Sequence, residues 1–174
     1  MVVQDFKRGL SRCLAACIVA VSLSGCLADA AGSVAGKLVE KMFEPSPTRV
    51  EAKIEAAQDI NPDYDGRPSP LVIRLYELKS PTVFNNAAFF ALYDTDTAEL
   101  GADLQNREEL ELQPGQALEI ERELKPETRY YGIMAAYRDI DNATWRAVYE
   151  VEEASTAELA ILVGRLNVSI AEAD

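Results

Sequence analysis

Few side chains in this chain of 174 residues have the type and spacing that does chemistry, and one type is missing. There is no His, which excludes Ser-His-Asp and Cys-His nucleophile systems, the HExxH zinc site and any imidazole proton shuttle. Asp94 and Asp96 stand two apart, as at the start of a calcium loop. Ala98 takes the next ligand position and no glycine occupies the sixth, so the pattern argues against calcium. Asp139 and Asp141 could pair for acid/base work, but they sit in a turn-like segment where Asp is an ordinary turn former. Trp145, the only Trp, follows a turn and alternates with Ala147 and Tyr149, a pattern that fits a core plug better than a sugar platform.

The three cysteines carry more information. Lys7, Arg8 and Arg12 precede a mostly apolar stretch from Cys13 to Leu23 and then small residues, the layout of a bacterial-type export signal. The stretch falls short of the roughly 20 apolar residues that span a bilayer. It ends in Leu23-Ser24-Gly25-Cys26, which resembles the lipobox of bacterial lipoproteins. That resemblance implies a lipoprotein signal peptide over residues 1–25, cleavage before Cys26, and diacylglycerol and palmitate-type acylation of Cys26. Cys13 and Cys17 would leave with the signal, so neither a free thiol nor a disulfide remains. Each buried CH₂ contributes about 0.8 kcal/mol, so one acyl chain binds membranes marginally while two or three anchor stably. Leu27, rather than Asp, follows the acylated position, which by the enterobacterial sorting rule implies the periplasmic face of the outer membrane. No cofactor beyond this covalent lipid is expected.

The balance of 17 Lys+Arg against 29 Asp+Glu gives a net charge of −12, and cleavage would move it to −14 by removing Lys7, Arg8, Arg12 and Asp5. Affinity for phosphate backbones rests on cations that displace counterions, so no nucleic-acid partner is expected. The length suits a single folded domain with a core of its own.

Residues 26–48 read as the acylated Cys and a tether. Val34, Leu38, Val39 and Met42 recur at helical spacing before Pro45 and Pro47, which suits either a short amphipathic helix or a flexible spacer. Beyond the tether, Val50, Ala52, Ile54 and Ala56 alternate with charged residues as in a half-wet strand, and Leu71 to Tyr76 make a second. Asp59 to Pro70, with three prolines and a glycine, is a long connection between them. Ser80-Pro81 and the apolar spacing that follows predict one amphipathic helix from Pro81 to Tyr93. Glu109–Leu112 and Leu118–Leu124 read as strands joined by a type II turn at Gln113 to Gln116, opening a meander. Arg129–Tyr137 and Thr144–Val151 flank the turn-like Asp139 to Asn142, and Leu159–Ile170 is the last strand, with Gly164 as a bulge or sheet switch. Seven short strands and one helix predict an all-β, two-sheet sandwich over residues 49–174.

The run Ser69-Pro70-Leu71-Val72-Ile73-Arg74-Leu75-Tyr76-Glu77-Leu78-Lys79 is followed by Phe89-Phe90-Ala91-Leu92-Tyr93-Asp94 and Leu100-Gly101-Ala102-Asp103-Leu104. Then come Ala135-Ala136-Tyr137-Arg138-Asp139 and Ala143-Thr144-Trp145-Arg146. In this order and spacing the chain resembles the type VI secretion outer-membrane lipoprotein (TssJ, or SciN) family. The resemblance implies a transthyretin-like β-sandwich with an added helix, and a non-enzymatic role. It also implies binding to the periplasmic C-terminal region of TssM, which joins TssL in an envelope-spanning complex. By position, the family's contact loop is Asp59 to Ser69, which makes Asn61, Pro62, Asp63, Tyr64, Asp65, Gly66, Arg67 and Pro68 the partner-binding residues. Its length, its prolines and its Tyr and Arg suit a binding loop on physical grounds too, though such a loop can also merely close a sandwich end. The other classes weighed were a carbohydrate- or peptidoglycan-binding lipoprotein and a transthyretin-like hydrolase, the latter failing for want of His.

Overall fold

The computed structural model describes residues 46–173. The expected signal peptide (1–25), Cys26 and the tether up to residue 45 lie outside the described residues.

Eight strands among the described residues form two sheets. They are β1 (Arg49–Ala56), β2 (Leu71–Leu78), β3 (Leu104–Leu112), β4 (Ala117–Glu123), β5 (Tyr130–Ala135), β6 (Arg146–Glu150), β7 (Thr156–Val163) and β8 (Val168–Glu172). One sheet has the order β4-β1-β7-β8, with β1 and β7 parallel; the other, β3-β2-β5-β6, is antiparallel throughout. In β1 the period of two buries Val50, Ala52, Ile54 and Ala56 against the facing sheet and leaves Glu51, Lys53 and Glu55 in water. Leu71, Ile73, Leu75, Ile133 and Ile161 meet them in the main core.

The β2 strand is buried on both faces. Tyr76 and Leu78 point away from the facing sheet into a second apolar cluster with Phe84, Leu92, Leu100 and Met134. The residues that cover this face come from the segment after β2, which is not one helix from Pro81 to Tyr93 but two: α1 (Thr82–Asn86) and α2 (Phe89–Leu100). Ala87 and Ala88 between them are extended, and the Arg146 guanidinium donates to the carbonyls of Phe84 (2.9 Å) and Ala87 (2.6 Å), giving the end of α1 the acceptors' partners a continuous helix would have supplied. The α2 segment runs past Tyr93 but is kinked at Thr95 (φ −140°, ψ 35°), and Leu92 before the kink and Asp96 and Leu100 after it are all buried.

Two strand pairings also differ from expectation. The turn at Gln113 to Gln116 is present, with the Gln116 N–H donating to Gln113 O (3.0 Å) and Gly115 at φ 74°. It does not make a hairpin, however. Since β1 and β2 lie in opposite sheets, β3 joins β2 and β4 joins β1, so the turn crosses between sheets. The last stretch, expected as one strand over 159–170, folds back as the β7–β8 hairpin, where the Gly164 N–H donates to Asn167 O (2.7 Å). That fold-back raises the strand count from seven to eight.

A buried ion cluster fixes α2 over its sheet. Asp96 Oδ2 accepts from Arg107 Nη1 (2.8 Å), Tyr76 OH (3.1 Å) and Arg74 Nη1 (3.3 Å), while Arg74 also donates to Tyr93 O (2.7 Å) and Glu109 Oε2 (2.7 Å). Asp96 and Arg74 side chains are 6% and 11% exposed. Burial pushes the Asp96 carboxyl up, but hydrogen bonds from Arg107 and Tyr76 and the nearby positive charge outweigh it and hold the group below the ordinary carboxylate value. A group with a depressed folded-state pKa stabilises the fold above its unfolded pKa and ceases to do so as pH falls through the folded value. Asp96→Asn is therefore expected to lower stability at neutral pH by about 1–3 kcal/mol, since it removes the carboxylate shared by buried Arg74, which keeps Glu109, and partly exposed Arg107. The variant should also show a shallower loss of urea resistance between about pH 5 and about pH 2 than the native chain. Urea titrations across that range check both; equal acid slopes would contradict the assignment.

Candidate functional site

The β1–β2 connection must cross the end of the sandwich from one sheet to the other, and it does so as a cross-linked loop. Ile60 is fully buried in the main core and anchors its first leg. Beyond it the chain turns back on itself: Gly66 N–H donates to Asp63 O (2.9 Å), and Asp63 N–H donates to Arg67 O (2.8 Å). Asp63 stands at the centre. Its Oδ1 accepts from the N–H groups of Asp65 and Arg67 (both 2.9 Å), and its Oδ2 from Arg67 Nε (2.9 Å), while Arg67 Nη2 reaches Asp65 Oδ2 (2.8 Å). The Arg67 backbone N–H, with help from its guanidinium and the Asp65 N–H, holds the Asp63 carboxyl below the ordinary carboxylate value against slight desolvation. Gly66 sits at φ 79°, a conformation L side chains rarely adopt, and Pro62 and Pro68 flank the turn.

Tyr64 occupies the apex and is fully exposed. Asp65, Gly66, Arg67 and Pro68 are exposed too, and Pro62 and Asp63 are half-buried. Asn61 differs from the other expected contact residues: it is 3% exposed and its amide is spent within the fold. Its Nδ2 donates to Pro70 O (2.7 Å), its Oδ1 accepts from Arg138 N (2.9 Å), and its backbone N–H donates to Arg165 O (3.0 Å). Asn61 thus holds the two legs of the β1–β2 loop to the β5–β6 loop and the β7–β8 turn, at φ 46°. Alone among the expected contact residues it is buried, and its side-chain amide positions the loop. Sequence patterns did not reveal this, because an Asn before Pro in a loop reads as an ordinary turn residue.

Tyr137 ties the same pole together from beneath. It is buried, and its hydroxyl lies 2.7 Å from Asn167 O and 3.0 Å from Gly164 O, with burial pushing its phenol up in pKa. The three connections enclose a cleft of about 540 Å³ whose walls include Pro62, Tyr64, Ile140 and Leu166.

Of the remaining candidates, Asp96, Asp139 and Trp145 have structural roles, and Asp94 and Asp141 are exposed. Asp96 belongs to the ion cluster described above. Asp139 accepts twice from Asn142 Nδ2 (2.9 and 3.0 Å), as a turn residue does. Trp145 packs against both apolar clusters, with Phe89 edge-on at 5.2 Å and the Arg146 guanidinium 4.4 Å above its ring, which leaves it poorly placed to stack on a sugar. Among the described residues, no group of three or more His, Cys, Asp or Glu is placed to hold a metal ion.

Residues 48–166 match the model of the type VI secretion lipoprotein family (T6SS-SciN), described as VasD, EvfM and TssJ. The fold is similar to the crystal structure of the T6SS lipoprotein TssJ1 from Pseudomonas aeruginosa, at 44% identity and a TM-score of 0.72, over 74% of this chain and 98% of that one. It is similar also to Serratia marcescens Lip, a membrane-bound component of the type VI secretion system, at 25% identity and a TM-score of 0.67, over 74% of this chain and 100% of that one. A chain in a type VI membrane complex matches at 26% identity and a TM-score of 0.62, over 72% of this chain and 98% of that one. No curated protein sequence matches the chain.

Two substitutions separate the layers of this site. Asn61→Ala is expected to destabilise the whole domain by about 1–3 kcal/mol, since it orphans the Arg138 N–H and the Pro70 carbonyl. Asp63→Ala should leave the unfolding midpoint nearly unchanged while accelerating hydrogen exchange at the amides of Asp65 and Arg67. Urea unfolding and amide exchange by NMR measure the two effects, and equal destabilisation by both variants would contradict the division of roles.

Proposed function

The chain belongs to the type VI secretion lipoprotein family, and from that premise we propose that it is the lipid-anchored periplasmic component that holds the inner-membrane protein TssM to the outer membrane. The observation that carries the proposal is the β1–β2 loop, which presents a fully exposed Tyr64 on a backbone already fixed by Asp63, Arg67 and Asn61. Fixing a loop before docking reduces the ordering cost of association, and Tyr and Arg are the side chains that most often dominate interfaces. In this reading Tyr64, Asp65, Gly66, Arg67 and Pro68 meet the periplasmic C-terminal region of TssM, with Pro62 and Asp63 at the margin. TssL enters the assembly through TssM.

Cys26 supplies the other end, acylated and seated in the inner leaflet of the outer membrane. The chain joins β1 at Arg49 and leaves it at Ala56. Eight residues of strand, at about 3.3 Å each, therefore separate the tether's point of attachment from the loop by roughly 25 Å. A chain that enters β1 at one end and carries the docking loop at the strand's other end suits a linker between two membranes. In this reading the work is that of a structural component, a lipoprotein as the family description has it.

Two experiments test the two ends. Mature chain with Cys26→Ser, exported behind an unrelated cleavable signal, is expected to be folded and soluble in the periplasm; persistent membrane fractionation without TssM would contradict the anchor. Tyr64→Ala is expected to weaken binding of the TssM periplasmic C-terminal region at least tenfold with an unchanged unfolding transition. Unchanged affinity would move the contact elsewhere on the domain.

A further inference from the structure

Arg138 follows directly after Tyr137 on the β5–β6 loop, and its backbone N–H is held by Asn61. Its guanidinium is exposed and enters none of the ion pairs among the described residues, although Asp139 is its neighbour in sequence and the chain as a whole carries 29 carboxylate side chains. Asp139 is engaged by Asn142 instead. An unpaired guanidinium beside the cleft next to Tyr64 is therefore a feature that folding alone does not use.

The cleft has the make-up of a docking pocket. Pro62, Ile140 and Leu166, each half-buried, provide apolar wall, and Tyr64 stands at its margin. Its polar lining is divided between engaged and available groups. Asp63 is saturated by Arg67 and two backbone N–H groups, Asp139 is bonded to Asn142, and Arg165 faces Asp59 at a loose 3.6 Å. Asp141 and Arg138 are the groups left over. Arg138 is the stronger determinant of the two, because guanidinium binds a carboxylate through paired donors in a fixed fork and is a favoured interface residue.

We infer that this cleft, and not the β1–β2 loop alone, receives the partner, and that its occupant is a protein segment presenting an apolar side chain beside a carboxylate, the apolar group against Pro62, Ile140 and Leu166 and the carboxylate on Arg138. The inference rests on the reading of this pole as the TssM docking surface and adds the chemistry of what docks. Asn61 then has a second consequence. By bonding Arg138 N it sets the position of the cleft's cation with the same amide that shapes the Tyr64 loop.

The test uses the full lipidated protein in mild detergent and the TssM periplasmic C-terminal region as the probe. Arg138→Glu is expected to weaken binding at least tenfold, Arg138→Lys to recover part of the loss, and Ile140→Glu to weaken binding at least tenfold. Arg138 is exposed and Ile140 half-buried, so the unfolding transition of each variant is measured alongside. Raising salt from about 0.1 M to about 0.5 M should weaken the native complex more than the Arg138→Glu complex, because screening acts on the pair that the variant has lost. Tighter binding by Arg138→Glu would mean that the occupant brings a cation to Asp141, and would overturn the inference. If Arg138→Glu and Ile140→Glu both bind within twofold of the native protein while Tyr64→Ala does not, the cleft inference fails and the loop reading stands. If Tyr64→Ala alone is neutral, the cleft stands and the loop reading fails.

Discussion

The Asn61 amide is the interaction on which the functional pole depends. Because β1 and β2 lie in opposite sheets, the chain between them has to cross the open end of the sandwich, where backbone groups leave the ladders and need other partners. Asn61 meets that need three times over, through Pro70 O, Arg138 N and Arg165 O. Each of these belongs to a different part of the pole, so one residue in a left-handed conformation sets the geometry of all three connections. Tyr137, with its hydroxyl against the β7–β8 turn, closes the same arrangement from the core side.

The other end of β2 shows how the sheet can afford such rigidity. Covering Tyr76 and Leu78 with α1 and α2 gives the β3-β2-β5-β6 sheet apolar contact on both faces, which a two-layer sandwich of this size would otherwise lack. The Arg74–Asp96–Arg107 cluster fixes where α2 lies, and Arg146 fixes where α1 ends. Buried Glu77 does comparable work at the far end of β2, accepting from Asn106 Nδ2, Lys125 N and Thr128 Oγ1. None of these charged groups is left over for chemistry, in contrast to Arg138.

How legible this was in the sequence depended on whether a feature was local. The period of two in β1, the Pro-Gly turn at Gln113 to Gln116 and the long β1–β2 connection follow from neighbouring residues, and all three are present. The choice of partners for β3 and β4 is not local: their alternating Leu and Glu suit a hairpin as well as a crossover, and only the placement of β1 and β2 in different sheets decides. The break at Ala87-Ala88 is hidden for the same reason, since both alanines favour helix and the residue that ends it, Arg146, lies far along the chain. At the site, prolines, Tyr64 and Arg67 mark the loop in the sequence, whereas the role of Asn61 depends on Pro70, Arg138 and Arg165, which no local pattern links to it. The ordered run of motifs from Ser69 to Arg146 pointed to the type VI secretion lipoprotein family, and the match over residues 48–166 agrees.

A hydrogen-exchange footprint of the TssM periplasmic C-terminal region on the full protein tests the central claim most directly. The account predicts that protection gained on binding is confined to the β1–β2 loop at residues 59–69, the β5–β6 loop at 136–145 and the β7–β8 turn at 164–167. Protection centred instead on α2, or on the outer face of the β4-β1-β7-β8 sheet, with those three connections unchanged, would contradict it.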